Sequence, residues 1–236
     1  MMSDKSAGTP RVYICRHGET EWSKNGQHTG KTDIELTERG MQQIQASGSI
    51  LIGPNKLIDL SKVAHVYVSP RKRAYQTFEL AISEADRKLL VEEGRVSRTD
   101  RLAEWDYGDY EGLVSADIQR MRKERGLDKE RNWNIWQDGC EGGESPEQVS
   151  ERVDSLIEEI RRIQGPNING EKACDVVLFA HGHLLRAFVK RWVNIPLEFP
   201  LAMMLEPGGV GVLSYDHHDI NQPAILVGIG LPSPPV

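Results

Sequence analysis

Two histidines in this chain each follow a short apolar run and precede a glycine. Arg16-His17-Gly18 comes after the run 12–15, and His181-Gly182-His183 comes after the run 175–180. A third run, 63–68, ends at Ser69-Pro70 and leads into Arg71, Lys72 and Arg73. Imidazoles and guanidinium groups brought to one place suit a phosphoryl group, because arginine forks match its oxygens and helix N-termini favour its negative charge. One imidazole can attack phosphorus, and a transition state whose charge is spread over equatorial oxygens asks the protein mainly for fixed cations. A leaving alkoxide also needs a proton. Glu104 is the candidate donor: it lies in the segment 102–112, LAEWDYGDYEG, whose Trp105, Tyr107 and Tyr110 can wall off a carboxyl group and disfavour its charge. Asp106 and Glu111 are the alternatives, or the groups that orient it.

Strands must place these residues. The runs 12–15, 63–68 and 175–180 read as short buried strands, each closed by a turn. Pro70 can open a helix through Arg73 and Leu80, and Leu184, Leu185, Phe188, Val189 and Trp192 recur at helical spacing after the third run. In an open α/β sheet, ligands collect beyond the carboxyl ends of the strands, where all three motifs sit. Thr37 can cap a helix carrying Ile44 and Leu51. Ser145-Pro146-Glu147-Gln148 is a capping-box start for a helix with Val149, Val153, Leu156, Ile160 and Ile163 on one face, ending near Gly165-Pro166. Late strands are expected over 210–215 and 224–229, with a turn at 221–223 and a proline-rich tail from Pro232. The stretch 121–143 is polar, lacks sustained periodicity and reads as an insertion over one face. No repeat or low-complexity linker divides the chain, so a single α/β domain over 1–236, with its core at about 11–230, is expected.

The 236 residues, 39% of them hydrophobic, suffice for a sizeable core. A formal net charge of -6 argues against nucleic-acid or anionic-membrane partners. Cys15, Cys140 and Cys174 are odd in number and widely spaced, which forms neither a disulfide framework nor a C-x-x-C metal pair and reads as a reducing compartment. The N-terminus has no apolar signal region and no run is long enough to span a bilayer. A cytoplasmic protein is expected, with its oligomeric state left open, a homo-oligomer included. His217-His218-Asp219 does not read as a metal site, since neighbours in an extended segment point apart and no third ligand has suitable spacing.

The ordered motifs resemble the histidine phosphatase superfamily, in its phosphoglycerate mutase-like branch. Arg16-His17-Gly18-Glu19-Thr20 matches its R-H-G-[EQ]-[ST] signature. Thr29-Gly30, the segment 32–40, Ser69-Pro-Arg-Lys-Arg-Ala74 with Gln76-Thr77, the segment 104–108, Gly142-Gly-Glu-Ser145 and His181-Gly182-His183 follow in order. Within the superfamily, the wording of 127–145 and 208–218 is similar to the fungal sedoheptulose-1,7-bisphosphatase group. The resemblance implies a three-layer α/β/α sandwich with a mostly parallel central sheet. It implies His17 as the phosphorylated nucleophile, Arg16, Arg73 and His181 as holders of the phosphoryl group and Glu104 as proton donor. It also implies substrate contacts from His28, Thr29, Trp105, Asp106 and Tyr107, and from Ser23, which stands where mutases commonly carry asparagine. Arg186 and His217 are the candidates for a second phosphate. The activity so implied is metal-independent and cofactor-free hydrolysis of a small sugar (bis)phosphate. A phosphoglycerate mutase and a non-catalytic binder of phosphorylated ligands are the alternatives.

Overall fold

The computed structural model describes residues 8–228. Its centre is a six-stranded sheet in the order β3-β2-β4-β1-β5-β6, built from β1 (Val12–Arg16), β2 (Val63–Val68), β3 (Val96–Arg98), β4 (Asp175–Ala180), β5 (Val210–Tyr215) and β6 (Pro223–Ile225). β1 to β4 pair in parallel, and β5 alone runs against its neighbours. This is the mostly parallel α/β sheet expected from the sequence. β4 lies at its centre and all six of its residues are buried, as a strand covered on both faces must be.

The period-two alternation of the strands divides the core. Val12, Ile14, Val176, Leu178 and Leu213 face one layer, which contains α7 (Pro146–Gln164) and α8 (Gly182–Trp192). Tyr13, Cys15, Val66, Val68, Val177 and Phe179 face the other, with Phe78 of α3 (Lys72–Ala81) and Leu90 of α4 (Glu84–Glu92). α2 (Glu38–Leu51) packs on α3 through Gly48, where a Cβ would run into the Ala81 carbonyl. The expected caps are present. Thr37 accepts from the Gly40 amide, and Ser145 and Gln148 close a reciprocal capping box on α7.

Two expectations change. The stretch 121–143 is more than a polar cover: α5 (Ser115–Glu124) runs into it, α6 (Ile135–Asp138) lies within it, and Trp133, Ile135 and Cys140 are buried in the core. Its anchors are too sparse to give a periodic pattern. The last strand spans only Pro223–Ile225, and the end of the expected strand, Ile229, lies outside the described residues, as does the proline-rich tail. The three cysteines are free and buried, and no helix among the described residues is long and apolar enough to cross a membrane.

Candidate active site

Strand register builds the reaction centre. β4 lies between β2 and β1, with Val68 opposite Phe179 and Arg16 opposite Ala180, so the residues that follow these strands emerge in a row. Ser69, His181 and His17 are those residues, all buried. The His17 and His181 rings lie 5.2 Å apart.

His17 Nδ1 is 2.7 Å from the Gly18 carbonyl oxygen. A carbonyl only accepts, so Nδ1 carries the proton and Nε2 keeps its lone pair. Burial, then Arg73, then Arg16 push the His17 pKa well below 6.5 against the opposing effect of that carbonyl, so the ring is neutral and nucleophilic near pH 7. His181, fully buried at the start of α8, is pushed down in the same way by burial and by Arg73. Its Nε2 sits 2.6 Å from Ser69 Oγ, and its Nδ1 is buried without a partner.

The cations are held by backbone oxygens. Arg73, buried in the first turn of α3, donates to the carbonyls of Thr29 (2.8 Å), Gly30 (3.2 Å) and Thr32 (3.1 Å). Arg16 donates to the Leu205 carbonyl at 2.6 Å. The Nε atoms of both are buried and make no hydrogen bond in the protein, which leaves two charged donors to meet an anion. Gly182 leaves room for Arg16, since a Cβ there would lie 3.2 Å from the guanidinium carbon.

Glu104 joins the centre from the loop 103–107. Its Oε1 accepts from the Trp105 and Leu184 amides at 2.9 and 2.8 Å, and its Oε2 accepts from the His183 amide at 3.0 Å. The carboxylate therefore serves the orphan N–H groups of α8, which lacks a side-chain cap of its own, and the helix in turn fixes the carboxylate. Only Oε2 retains spare acceptor capacity, and Glu104 lines a cavity of about 150 Å³.

That cavity also takes in Arg16, His17, Ser23, His28, Thr29, Tyr107 and Arg186. Ser23 lines it with a committed hydroxyl, which accepts from the Thr20 amide and donates to the Thr20 carbonyl as part of the capping box of α1 (Glu21–Asn25). Trp105 and Asp106 stand behind the wall rather than in it. Trp105 is fully buried with Nε1 donating to the Glu144 carbonyl, and Asp106 pairs with Lys31 at 2.6 Å. Their contribution is to seat the Glu104 loop.

His217 is a correction. Because β5 runs antiparallel to β1, with Val210 opposite Cys15 and Leu213 opposite Val12, the chain leaves β5 at the end of the sheet remote from His17. His217 follows there, exposed and 3.5 Å from Asp216, and cannot share a rim with Arg186. Strand direction is not written in the local pattern of 210–218.

Sequence reasoning assigned no site role to Ser69 or His183, and weighed Glu111 only as an alternative acid or a group orienting Glu104. Glu111, weighed as an acid, is a clamp: it accepts from the Gly30 amide at 3.0 and 2.9 Å and from the Thr32 amide at 2.9 Å, shaping the loop that receives Arg73. The signal for Ser69 was its place after a strand, as for His17 and His181. No cluster of three or more His, Cys, Asp or Glu placed to hold a metal ion occurs among the described residues.

The match to known proteins covers almost the whole chain. Residues 12–224 match the family model of the histidine phosphatase superfamily (branch 1). The sedoheptulose 1,7-bisphosphatase of Saccharomyces cerevisiae is 37% identical, over 96% of this chain and 95% of the yeast protein. An acid phosphatase of Mycobacterium tuberculosis is 36% identical, over 95% of each chain. Among solved structures, that of an open reading frame of M. tuberculosis superposes with a TM-score of 0.67 at 32% identity, covering 88% of this chain and 92% of the other.

Proposed function

This chain belongs to branch 1 of the histidine phosphatase superfamily and is a phosphatase of that type, and we propose that its substrate is a sugar bisphosphate, of the sedoheptulose-1,7-bisphosphate class, hydrolysed without a metal. One observation carries the reading. The imidazole of His17, the guanidinium of Arg16 and the fixed carboxylate of Glu104 line one cavity, Arg73 is buried near enough to His17 to lower its pKa, and a further guanidinium, Arg186, lines the same cavity one turn along α8.

The reaction runs in two displacements. His17 Nε2 attacks phosphorus while the bond to the sugar oxygen breaks, and that oxygen receives its proton by way of Glu104. Arg16, Arg73 and His181 hold the equatorial oxygens, the two guanidinium groups supplying the charge that a metal ion would otherwise bring. Water then attacks phosphorus, Glu104 takes its proton, and the nitrogen–phosphorus bond breaks to free phosphate and His17.

Arg186 suits the second phosphate. Its Nε donates to the Gly182 carbonyl at 2.9 Å, and its other two nitrogens make no hydrogen bond in the protein. Binding energy from this remote group positions the reacting end. The test is phosphate release across seven-, six- and five-carbon sugar mono- and bisphosphates, by wild type and Arg186→Ala. A bisphosphate should have the highest kcat/KM, and the variant should lose most of that preference. Isomerised phosphoglycerate without phosphate release would mark a mutase instead, and binding without turnover would mark a regulator.

A further inference from the structure

His183 takes no part in the chemical steps above, yet it lines the same cavity. Its ring is fixed from three sides. Tyr107 Oη lies 2.7 Å from Nδ1, and the His28 and Trp136 rings have centroids 5.5 and 5.6 Å away. Burial, together with Arg186, His28 and Arg16, pushes the imidazole well below its usual pKa and keeps it neutral near pH 7.

A neutral imidazole has one donor and one acceptor nitrogen, and the Tyr107 contact decides which is which. Burial and Glu104 push the Tyr107 phenol well above its usual pKa, so it keeps its proton. Its hydroxyl makes no other hydrogen bond. If His183 Nδ1 were the donor, that buried phenol proton would be left without an acceptor, at a cost of about 1–3 kcal/mol. The phenol therefore donates to Nδ1, and the imidazole N–H sits on Nε2, which makes no hydrogen bond in the protein.

Position gives this donor a target. The His183 amide is bonded to Glu104 Oε2, and Arg186 lies three residues on, on the same helix face and about 4.5 Å along the axis. A molecule with one phosphate at His17 and another at Arg186 runs its carbon chain through the cavity that His183 also lines. We propose that His183 is a specificity-determining residue whose Nε2–H donates to a hydroxyl oxygen on the carbon chain between the two phosphates, so that the site selects polyhydroxylated bisphosphates over equally long plain ones. The inference rests on the sugar-bisphosphate reading.

Heptane-1,7-diol bisphosphate is the probe, since it carries two terminal phosphates on a seven-carbon chain without hydroxyls. The readout is the ratio of kcat/KM for sedoheptulose 1,7-bisphosphate over kcat/KM for the diol bisphosphate. Wild type should favour the sugar. His183→Phe, which retains a ring of similar shape, should lower the ratio roughly tenfold, the worth of one hydrogen bond to a site built for it. His183→Gln, whose amide can place an N–H near the Nε2 position, should recover most of it. Tyr107→Phe, which releases the tautomer, should lower it about threefold, and decides the matter if His183→Phe does not fold. An undiminished ratio in the Phe variant, or a Gln variant as poor as Phe, overturns the assignment of His183 alone. A wild-type enzyme that shows no preference for the sugar overturns the sugar-bisphosphate reading, and this inference with it.

Discussion

At the scale of single residues, the roles of nucleophile and proton donor can be removed separately. His17→Ala takes away the nucleophile and should reduce turnover to background on every substrate, which a phosphate-release assay would show. Glu104→Gln keeps the size of the side chain but cannot give or take a proton. It should slow hydrolysis of sugar esters by roughly 10² to 10⁴, and of p-nitrophenyl phosphate, whose leaving group needs no proton, much less. Equal losses on the two substrates would remove the proton-transfer role from Glu104. Arg16, His17 and His181 were legible in the sequence because type and position coincide, each being a charged or nucleophilic residue at the end of an apolar run, whereas Arg73 was separated from Arg71 only by the family resemblance. The roles of Glu111 and His183 were not legible, because each depends on partners far along the chain. Glu111 meets Gly30, and His183 meets Tyr107.

Elements carry these residues, and the most heavily used support is Arg152 on α7. Its guanidinium grips Glu144 at 2.7 and 2.9 Å and donates to the carbonyls of Arg101 (3.0 Å) and Ala103 (2.8 Å), while Glu144 accepts from the Asp106 amide. The loop bearing Glu104 is thus tied to α7 through one arginine. Arg152→Met should cost about 2–3 kcal/mol in a denaturant melt, since it strips several charge-assisted hydrogen bonds at once. It should also depress sugar-ester turnover more than aryl-phosphate turnover; a stable variant with both activities intact would show that the loop holds itself. The strands and most helices were legible from periodicity and caps, as α7 shows with its capping box and buried face of Val149, Val153, Leu156 and Ile160. The direction of β5 was not, because an alternating strand reads the same in either direction, and His217 was misplaced for that reason.

At the scale of the whole molecule, the site makes the fold sensitive to acid. His17, His28, His181 and His183 are all shifted to lower pKa, with burial the largest cause in each. The unfolded chain binds protons at these positions from about pH 6.5 downward while the folded protein does not, so their contribution is intact above pH 6.5 and is lost as pH falls towards their folded values. Each group contributes a slope of up to about 1.4 kcal/mol per pH unit in that window. The denaturant midpoint should therefore drop between pH 7.5 and pH 5.5; a flat or rising midpoint would contradict neutral burial of the four rings. Activity, by contrast, should survive a chelator, because Arg16 and Arg73 supply the charge around the phosphoryl group. The proposed reaction turns on transient phosphorylation of His17, with delivery of the group to water. Rapid quenching of the enzyme with a ³²P-labelled sugar bisphosphate, followed by peptide mapping, tests it most directly. The label should appear on His17 as an acid-labile, alkali-stable phosphoramidate and pass to inorganic phosphate during the chase. Label on another side chain, or its return to a sugar phosphate instead of water, would contradict the account.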